Sequence, residues 1–326
     1  MKLFLRNIRN FAARFVVHMK IAFTTSLPAE GFARLEQHTL YVPLEEAEVL
    51  VSTFDKPVTR EMIMSAPNLK LVTNFGVGFN NIDLAACKER GIYVTNTPTP
   101  VIEPTAELTF ALMHAVARRT CELDRKLREH RAEPFGVMNN LGHTLYGKVL
   151  GIIGMGNIGK ALARRAIASG MTILYHNRHR MDADTESHYK ATYVTREDLL
   201  TQADFISLNL PYTPDTHHII NAQSFSMMKH SAYLINTARG AHVDEKALIE
   251  ALRNKQIAGA ALDVYEYEPN ISAELLSLDQ VVLSPHIGTG TMEGRLDMCE
   301  NVVDNILAFE CGDYQNMNIV LEGKRY

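Results

Sequence analysis

The stretch from Lys148 to Gly159, Lys-Val-Leu-Gly-Ile-Ile-Gly-Met-Gly-Asn-Ile-Gly, constrains the fold more than any other part of the chain. Val149 to Ile153 is a short apolar run without charge, the pattern of a strand buried on both faces. Gly154, Gly156 and Gly159 follow at the G-x-G-x-x-G spacing. Lys160 to Ser169 is rich in good helix formers and stops at Gly170. Strand, glycine turn and helix in succession form the context that a dinucleotide site requires. Gly154 permits the tight turn, Gly156 lets the backbone approach a pyrophosphate, and Gly159 lets helix and strand pack closely. The helix N-terminus then faces the anion. A glycine turn of purely structural use is the competing reading.

A chain of 326 residues exceeds the usual single core, so two domains are expected. Its 46% hydrophobic and 21% charged content is that of a soluble globular protein. A net charge of -4 offers no basic field for nucleic acid. Cys87, Cys121, Cys299 and Cys311 lie far apart with no C-x-x-C, which reads as reduced thiols of a cytoplasmic protein. No apolar run reaches membrane-spanning length. Residues 1–18 carry Lys2, Arg6, Arg9 and Arg14 with no acid. They read as a poorly tied-down extension, with a targeting or membrane-surface helix as the alternative. The pairs His176/His179 and His217/His218 lack a carboxylate or cysteine to complete a ligand set, so no metal is expected. No serine sits in a G-x-S-x-G elbow, and triad hydrolysis is unsupported.

In chain order, strands are expected over 20–25, 39–42, 49–51, 69–74 and 92–95. They alternate with helices over 28–37, 59–66 and 84–90, which implies a parallel sheet covered on both faces. After Asn96-Thr-Pro-Thr-Pro100 the pattern breaks, and one long helix is expected over 103–131, passing between domains. The glycine-turn unit continues with strands at 172–175, 205–209, 233–236, 259–262 and 281–283. A helix over 296–310 is expected to cross back. The boundaries drawn are an extension over 1–18, a substrate domain of 19–102 and 291–326, and a dinucleotide-binding domain of 103–290.

Several separated stretches resemble one family. They are Gly76-Val-Gly-Phe-Asn-Asn-Ile-Asp83, Gly154-Met-Gly-Asn-Ile-Gly159, Leu208-Asn-Leu-Pro211 with Thr213-Pro-Asp-Thr216, Ile235-Asn-Thr-Ala-Arg-Gly240, Leu262-Asp-Val-Tyr265 with Glu268-Pro269, and Ser284-Pro-His-Ile-Gly288. Together, in this order, they resemble the D-isomer-specific 2-hydroxyacid dehydrogenases from about Lys20 to about Glu310. The resemblance implies an α/β fold of two Rossmann-like, doubly wound parallel-sheet domains with a cleft between them. It also implies a dimer formed through the cofactor domain.

Reduction of a 2-keto acid needs a hydride at the carbonyl carbon, a proton for the oxygen, and a grip on the carboxylate. Arg239 resembles the family's substrate arginine, whose planar fork suits carboxylate and carbonyl oxygen together. His286 resembles the acid/base, and Glu268 the partner that fixes its tautomer. Val77 and Gly78 resemble the loop whose N–H groups meet the substrate carboxylate. Asp263 resembles the residue at the nicotinamide carboxamide. Thr105, Asn157, Ile158, Pro211, Thr216, Thr237, Ala238 and Gly288, with His286 itself, match cofactor-lining positions.

NAD sites place an acid about 20 residues past the glycines, on the ribose hydroxyls. Here that position is Asn177, followed by Arg178 and Arg180. Asn removes the repulsion a carboxylate would exert on a 2'-phosphate, and arginine suits phosphate. NADP(H) is therefore favoured over NAD(H). The expected activity is cytoplasmic reduction of a small 2-keto acid of the glyoxylate or hydroxypyruvate type, without nucleic-acid or membrane partners. The alternatives are a 3-phosphoglycerate dehydrogenase and a nicotinamide-sensing binding protein related to corepressors.

Overall fold

A computed structural model describes residues 19–35, 39–131 and 133–325. The extension over 1–18 and the end of the helix expected over 28–37 lie outside the described residues. The strands in chain order are β1 (Met19–Phe23), β2 (Thr39–Tyr41), β3 (Val49–Thr53), β4 (Leu71–Phe75), β5 (Tyr93–Thr95), β6 (Val149–Ile153), β7 (Thr172–His176), β8 (Ala191–Tyr193), β9 (Phe205–Leu208), β10 (Tyr233–Asn236), β11 (Gly259–Leu262), β12 (Val281–Leu283) and β13 (Ile319–Leu321). They lie in two compact units. One holds the described residues up to Pro100 together with those from Met292 onward, and the other is Val101–Thr291.

In the first unit the sheet order is β13-β5-β4-β3-β1-β2, parallel except for β13 against β5. Helix α1 (Arg60–Ser65) starts at Thr59, and α2 (Leu84–Arg90) starts at Asp83, whose side chain accepts from the Ala86 N–H. Gly91 ends α2 in the left-handed region at φ 68°. Leu50, Val72, Val94, Ile63 and Ala86 pack into this unit's core, whereas the edge strand β2 leaves Leu40 and Tyr41 exposed. Residues Ala29–Leu35 form a 3-10 helix instead of the α-helix expected. Gly31 falls inside that run, and glycine weakens α-helix.

In the second unit the order is β12-β11-β10-β9-β6-β7-β8, all parallel. The long helix expected over 103–131 is two helices, α3 (Ile102–Ala117) and α4 (Thr120–Arg128). The break falls at Arg119, at φ 55°. The Ala117 carbonyl accepts from the His143 N–H at 2.8 Å. The Arg119 guanidinium is forked onto Glu122 at 2.7 and 2.8 Å and donates to the Leu141 carbonyl. His143 thus takes the Ala117 carbonyl that a continuing helix would use. Leu112, Met113 and Val116 are buried as expected, while Leu108 and Phe110 are half-buried. The glycine turn leads into α5 (Asn157–Ala168). Between β7 and β9 stand α6 (Ala183–His188), β8 and α7 (Arg196–Gln202). Then come α8 (Ala222–Met227), α9 (Glu245–Arg253) and α10 (Ala273–Leu276). Helix α11 (Met292–Glu310) belongs to the first unit. Two apolar cores, one on each face of the sheet, hold Leu150, Ile152 and Ile235 on one side and Ile206, Leu208 and Leu234 on the other. No helix among the described residues is long and apolar enough to cross a membrane.

Candidate active site

Strand β6 lies between β9 and β7, so the winding of the second sheet reverses at the β6/β9 pair. Open α/β sheets bind ligands outside the carboxyl ends of their strands at such a switch point. The sequence places the glycine turn after β6, Asn177 after β7, Pro211 after β9, Arg239 after β10, Asp263 after β11 and His286 after β12. Parallel strands in one sheet bring all of these turns to the same edge.

The glycine turn has the shape a dinucleotide needs. Gly154 stands at φ 96°, and a Cβ there would lie 2.6 Å from the Asn209 carbonyl oxygen. A Cβ on Gly159 would lie 2.7 Å from the Gly154 carbonyl oxygen, whereas Gly156 faces open space. Gly156 is the N-cap of α5, no side chain caps the helix, and no acid occupies its first turn. The N–H groups of that turn, including those of Asn157 and Ile158, are left for an anion. The residues present therefore fit a pyrophosphate. The Asn177 side chain accepts from the Met155 N–H at 2.7 Å, tying the end of β7 to the glycine turn. Arg178 is exposed and makes no ion pair among the described residues. Arg180 is different: its guanidinium is forked onto Glu186 at 2.8 Å by two bonds.

At the other strand ends the candidate residues fall into two linked groups. Asp263 is buried, and its carboxylate is a bracket for the turn after β12. It accepts from the Ser284 hydroxyl at 2.5 Å, the Ile287 N–H at 2.9 Å and the Gly288 N–H at 2.7 Å. Burial raises its pKa against those bonds. Thr105 borders Gly288, and Thr237 bonds Thr109 at 2.7 Å, so Thr105, Thr237, Asp263 and Gly288 form one cluster around the ends of α3, β10, β11 and β12. His286 stands in that bracketed turn at φ 53°. Its Nδ1 meets the Glu268 carboxylate at 2.9 Å. The other oxygen of Glu268 accepts from the Tyr265 N–H at 2.8 Å. Burial works against the Glu268 charge, but the His286 bond and charge prevail and hold its pKa below the ordinary carboxylate value. The Glu268 and Arg239 charges act on each other, and this opposes the burial that lowers the Arg239 pKa.

Some of this support was not read from the sequence. Asn236 folds the arginine turn: its side chain accepts from the Ala238 N–H and donates to the Arg239 carbonyl. Gly240 lets that turn touch the next, since a Cβ would lie 1.9 Å from the Tyr265 carbonyl. His218 pairs with Glu266 at 2.6 Å, and Glu266 accepts from the Glu245 N–H, so Glu266 ties His218 and the start of α9 to the segment that carries Glu268. The Thr216 hydroxyl is spent inside its own turn, accepting from the Thr213 N–H at 2.8 Å and donating toward the Pro211 and Thr213 carbonyls. His242 is fully buried behind Pro211, and burial pushes its pKa down to about 4.

The first unit has its own glycine turn after β4. The Val77 carbonyl accepts from Asn96 and the Gly78 carbonyl from Asn74. The Val77 and Gly78 N–H groups bond no acceptor among the described residues. The Ser52 hydroxyl donates to Asn74, a buried hub that the sequence alone does not signal. No group of His, Cys, Asp or Glu among the described residues is placed to hold a metal ion.

Residues 110–288 match the family described as D-isomer specific 2-hydroxyacid dehydrogenase, NAD binding domain. The chain is 42% identical to a glyoxylate reductase of Thermococcus litoralis over 313 residues, covering 90% of this chain and 94% of the relative. Among solved structures it is similar to an NADPH-dependent glyoxylate/hydroxypyruvate reductase from Sinorhizobium meliloti in complex with NADP and malonate. That match has 30% identity and a TM-score of 0.80 over 90% of this chain and 94% of that one. It is also similar to a D-lactate dehydrogenase from Aquifex aeolicus complexed with NAD and lactic acid, with 30% identity and a TM-score of 0.83 over 94% of this chain and all of the other. The chain belongs to the D-isomer specific 2-hydroxyacid dehydrogenases and is an NAD(P)-dependent oxidoreductase of that family.

Proposed function

We propose that this protein reduces small 2-keto acids of the glyoxylate or hydroxypyruvate type, prefers NADP(H), and works as a cytoplasmic homodimer. The observation that carries the chemistry is the His286–Glu268 hydrogen bond beside the Arg239 charge. A carboxylate on Nδ1 requires Nδ1–H, which turns Nε2 toward the substrate. Bound nicotinamide supplies the hydride. Arg239 grips the carbonyl oxygen and a carboxylate oxygen, holds the carbonyl plane, and stabilises the developing oxyanion. His286 gives its Nε2 proton to that oxygen, and Glu268 holds the ring in register as its charge changes. In the oxidative direction Nε2 takes the proton back. The Val77 and Gly78 N–H groups are assigned to the substrate carboxylate.

The NADP(H) preference is supported by Asn177, which offers no repelling charge, and by the exposed Arg178 guanidinium. The Sinorhizobium meliloti and Thermococcus litoralis proteins support the substrate class. For the homodimer, support comes from Phe135, Val137, Met138, Leu141 and Tyr146, large apolar side chains that lie exposed in one segment of the second unit.

The test is loss of reduced-nicotinamide absorbance with NADPH and with NADH, across glyoxylate, hydroxypyruvate, pyruvate and 3-phosphohydroxypyruvate. Fastest turnover of glyoxylate or hydroxypyruvate with NADPH is expected. Cofactor binding without turnover of any of them contradicts the reading, as does a clear preference for the phosphorylated acid. Arg178→Ala should raise KM for NADPH about tenfold and leave KM for NADH within about twofold.

A further inference from the structure

We propose that Glu186 sets the strength of this enzyme's cofactor preference by holding Arg180 away from the position of a 2'-phosphate. The proposal rests on the NADP(H) reading above and deepens it. Two arginines follow Asn177 at the end of β7, and either could supply a phosphate fork from that loop. Their situations differ. Arg178 is exposed without an ion pair among the described residues. Arg180 gives both of its forked donors to Glu186, Nε at 2.8 Å to one carboxylate oxygen and Nη2 at 2.8 Å to the other.

The lock has a rigid base. Glu186 lies on α6, and its side chain is only 12% exposed although Arg180 is 65% exposed. The Tyr175 hydroxyl, rising from within the β7 strand, donates to the same carboxylate at 2.6 Å and accepts from the Met181 N–H at 3.0 Å. The Arg180 and Tyr175 bonds hold the Glu186 pKa down to about 2, so the lock is charged wherever the enzyme works. Tyr193 lies under the guanidinium at 5.9 Å. Loop, helix and strand therefore share one charged hub, and its single negative charge neutralises the one arginine that would otherwise join Arg178. A 2'-phosphate arriving at this loop meets one available cation instead of two.

The experiment measures the ratio of NADPH to NADH affinity, by quenching of reduced-nicotinamide fluorescence, in wild type, Glu186→Gln, Glu186→Asp, Arg180→Ala and Glu186→Gln/Arg180→Ala. Glu186→Gln should raise the ratio about threefold to tenfold, the range set by freeing one surface charge-assisted fork. Glu186→Asp keeps the charge but shortens the reach, so it should move the ratio in the same direction, and it serves if the Gln variant is poorly folded. In the Arg180→Ala background, Glu186→Gln should change the ratio by no more than about twofold, because no arginine remains to be freed. No rise in either single variant overturns the proposal, and so does an equal rise with and without Arg180. Failure of the NADP(H) reading is distinguishable: there Arg178→Ala leaves the ratio unchanged, whatever Glu186 does.

Discussion

Both units contain the same local grammar, a buried parallel strand, a glycine turn and a helix, yet they use it in opposite ways. In the second unit Gly154-Met-Gly156 runs directly into α5, whose first turn has neither a side-chain cap nor an acid. In the first unit Gly76-Val-Gly78 is separated from α2 by Phe79 to Ile82, and α2 is capped by the Asp83 carboxylate at 2.9 Å from the Ala86 N–H. One helix end is left open to an incoming anion, and the other is closed by the chain's own anion. The lesson is that a glycine turn after a strand does not make a phosphate site. The site also needs helix N–H groups that nothing else has satisfied.

The contrast extends to a buried polar group in each unit, Asn74 beside the first unit's glycine turn and His242 behind Pro211 in the second. Asn74 in the first unit is an amide whose bonds are indifferent to pH. His242 in the second unit is an equally buried but titratable ring. Its folded pKa, about 4, lies below the ordinary 6.5. Below pH 6.5 the unfolded chain therefore binds a proton that the folded chain refuses, and stability falls until pH reaches about 4. The loss amounts to about 3 kcal/mol at most. Denaturant melts between neutral pH and the lower limit should show that loss shrinking in His242→Gln. An unchanged acid slope would mean that another group carries it and that the two hubs do not differ in this way.

A smaller effect tests the open helix end itself. Asn157→Asp places a carboxylate in the first turn of α5, so that the chain's own negative charge competes there with an incoming anion. Dinucleotide affinity should fall about tenfold while thermal stability rises slightly, by about 0.5 kcal/mol. Unchanged affinity in a titration of either cofactor would show that the α5 N-terminus is not where the anion binds. The smallest effect is expected from opening the closed end. Asp83→Ala should cost about 1 kcal/mol of stability, the worth of an N-cap, and leave cofactor affinity alone. A change in cofactor affinity there would erase the distinction between the turns.

The fold was legible where burial imposed a pattern. Strands such as Val149–Ile153 and Tyr233–Asn236 are apolar runs between glycines and polar turns, and the structure has them at those residues. Two short pieces were not read, although three-residue strands at Thr39–Tyr41, Tyr93–Thr95 and Val281–Leu283 were. Ala191–Tyr193 and Ile319–Leu321 have one buried residue between them, so neither carries the buried apolar run that marks a strand. The helix over 103–131 looked continuous because nothing around Arg119 is a glycine or proline. Its break is made by a distant segment, through His143 and Leu141. In the candidate site, Arg239, Glu268 and His286 were singled out because the resemblance carried them, and the structure brings Glu268 and His286 into contact. The groups that aim them were not. Ser284 and Asn236 are ordinary small polar residues until the fold sets them against Asp263 and the Arg239 turn. Arg180 shows the converse, a residue of the right type in the right loop whose fork is taken by Glu186, a partner that sequence spacing does not reveal.

If the imidazole held by Glu268 delivers the substrate proton, His286→Ala removes that donor and leaves the dinucleotide turn intact. Steady-state reduction of glyoxylate and hydroxypyruvate should be measured beside fluorescence titration of the same preparation with NADPH. A fall in kcat of about a hundredfold or more is expected, with cofactor affinity unchanged within about twofold. A variant that keeps a third or more of the wild-type kcat while binding cofactor normally would contradict it.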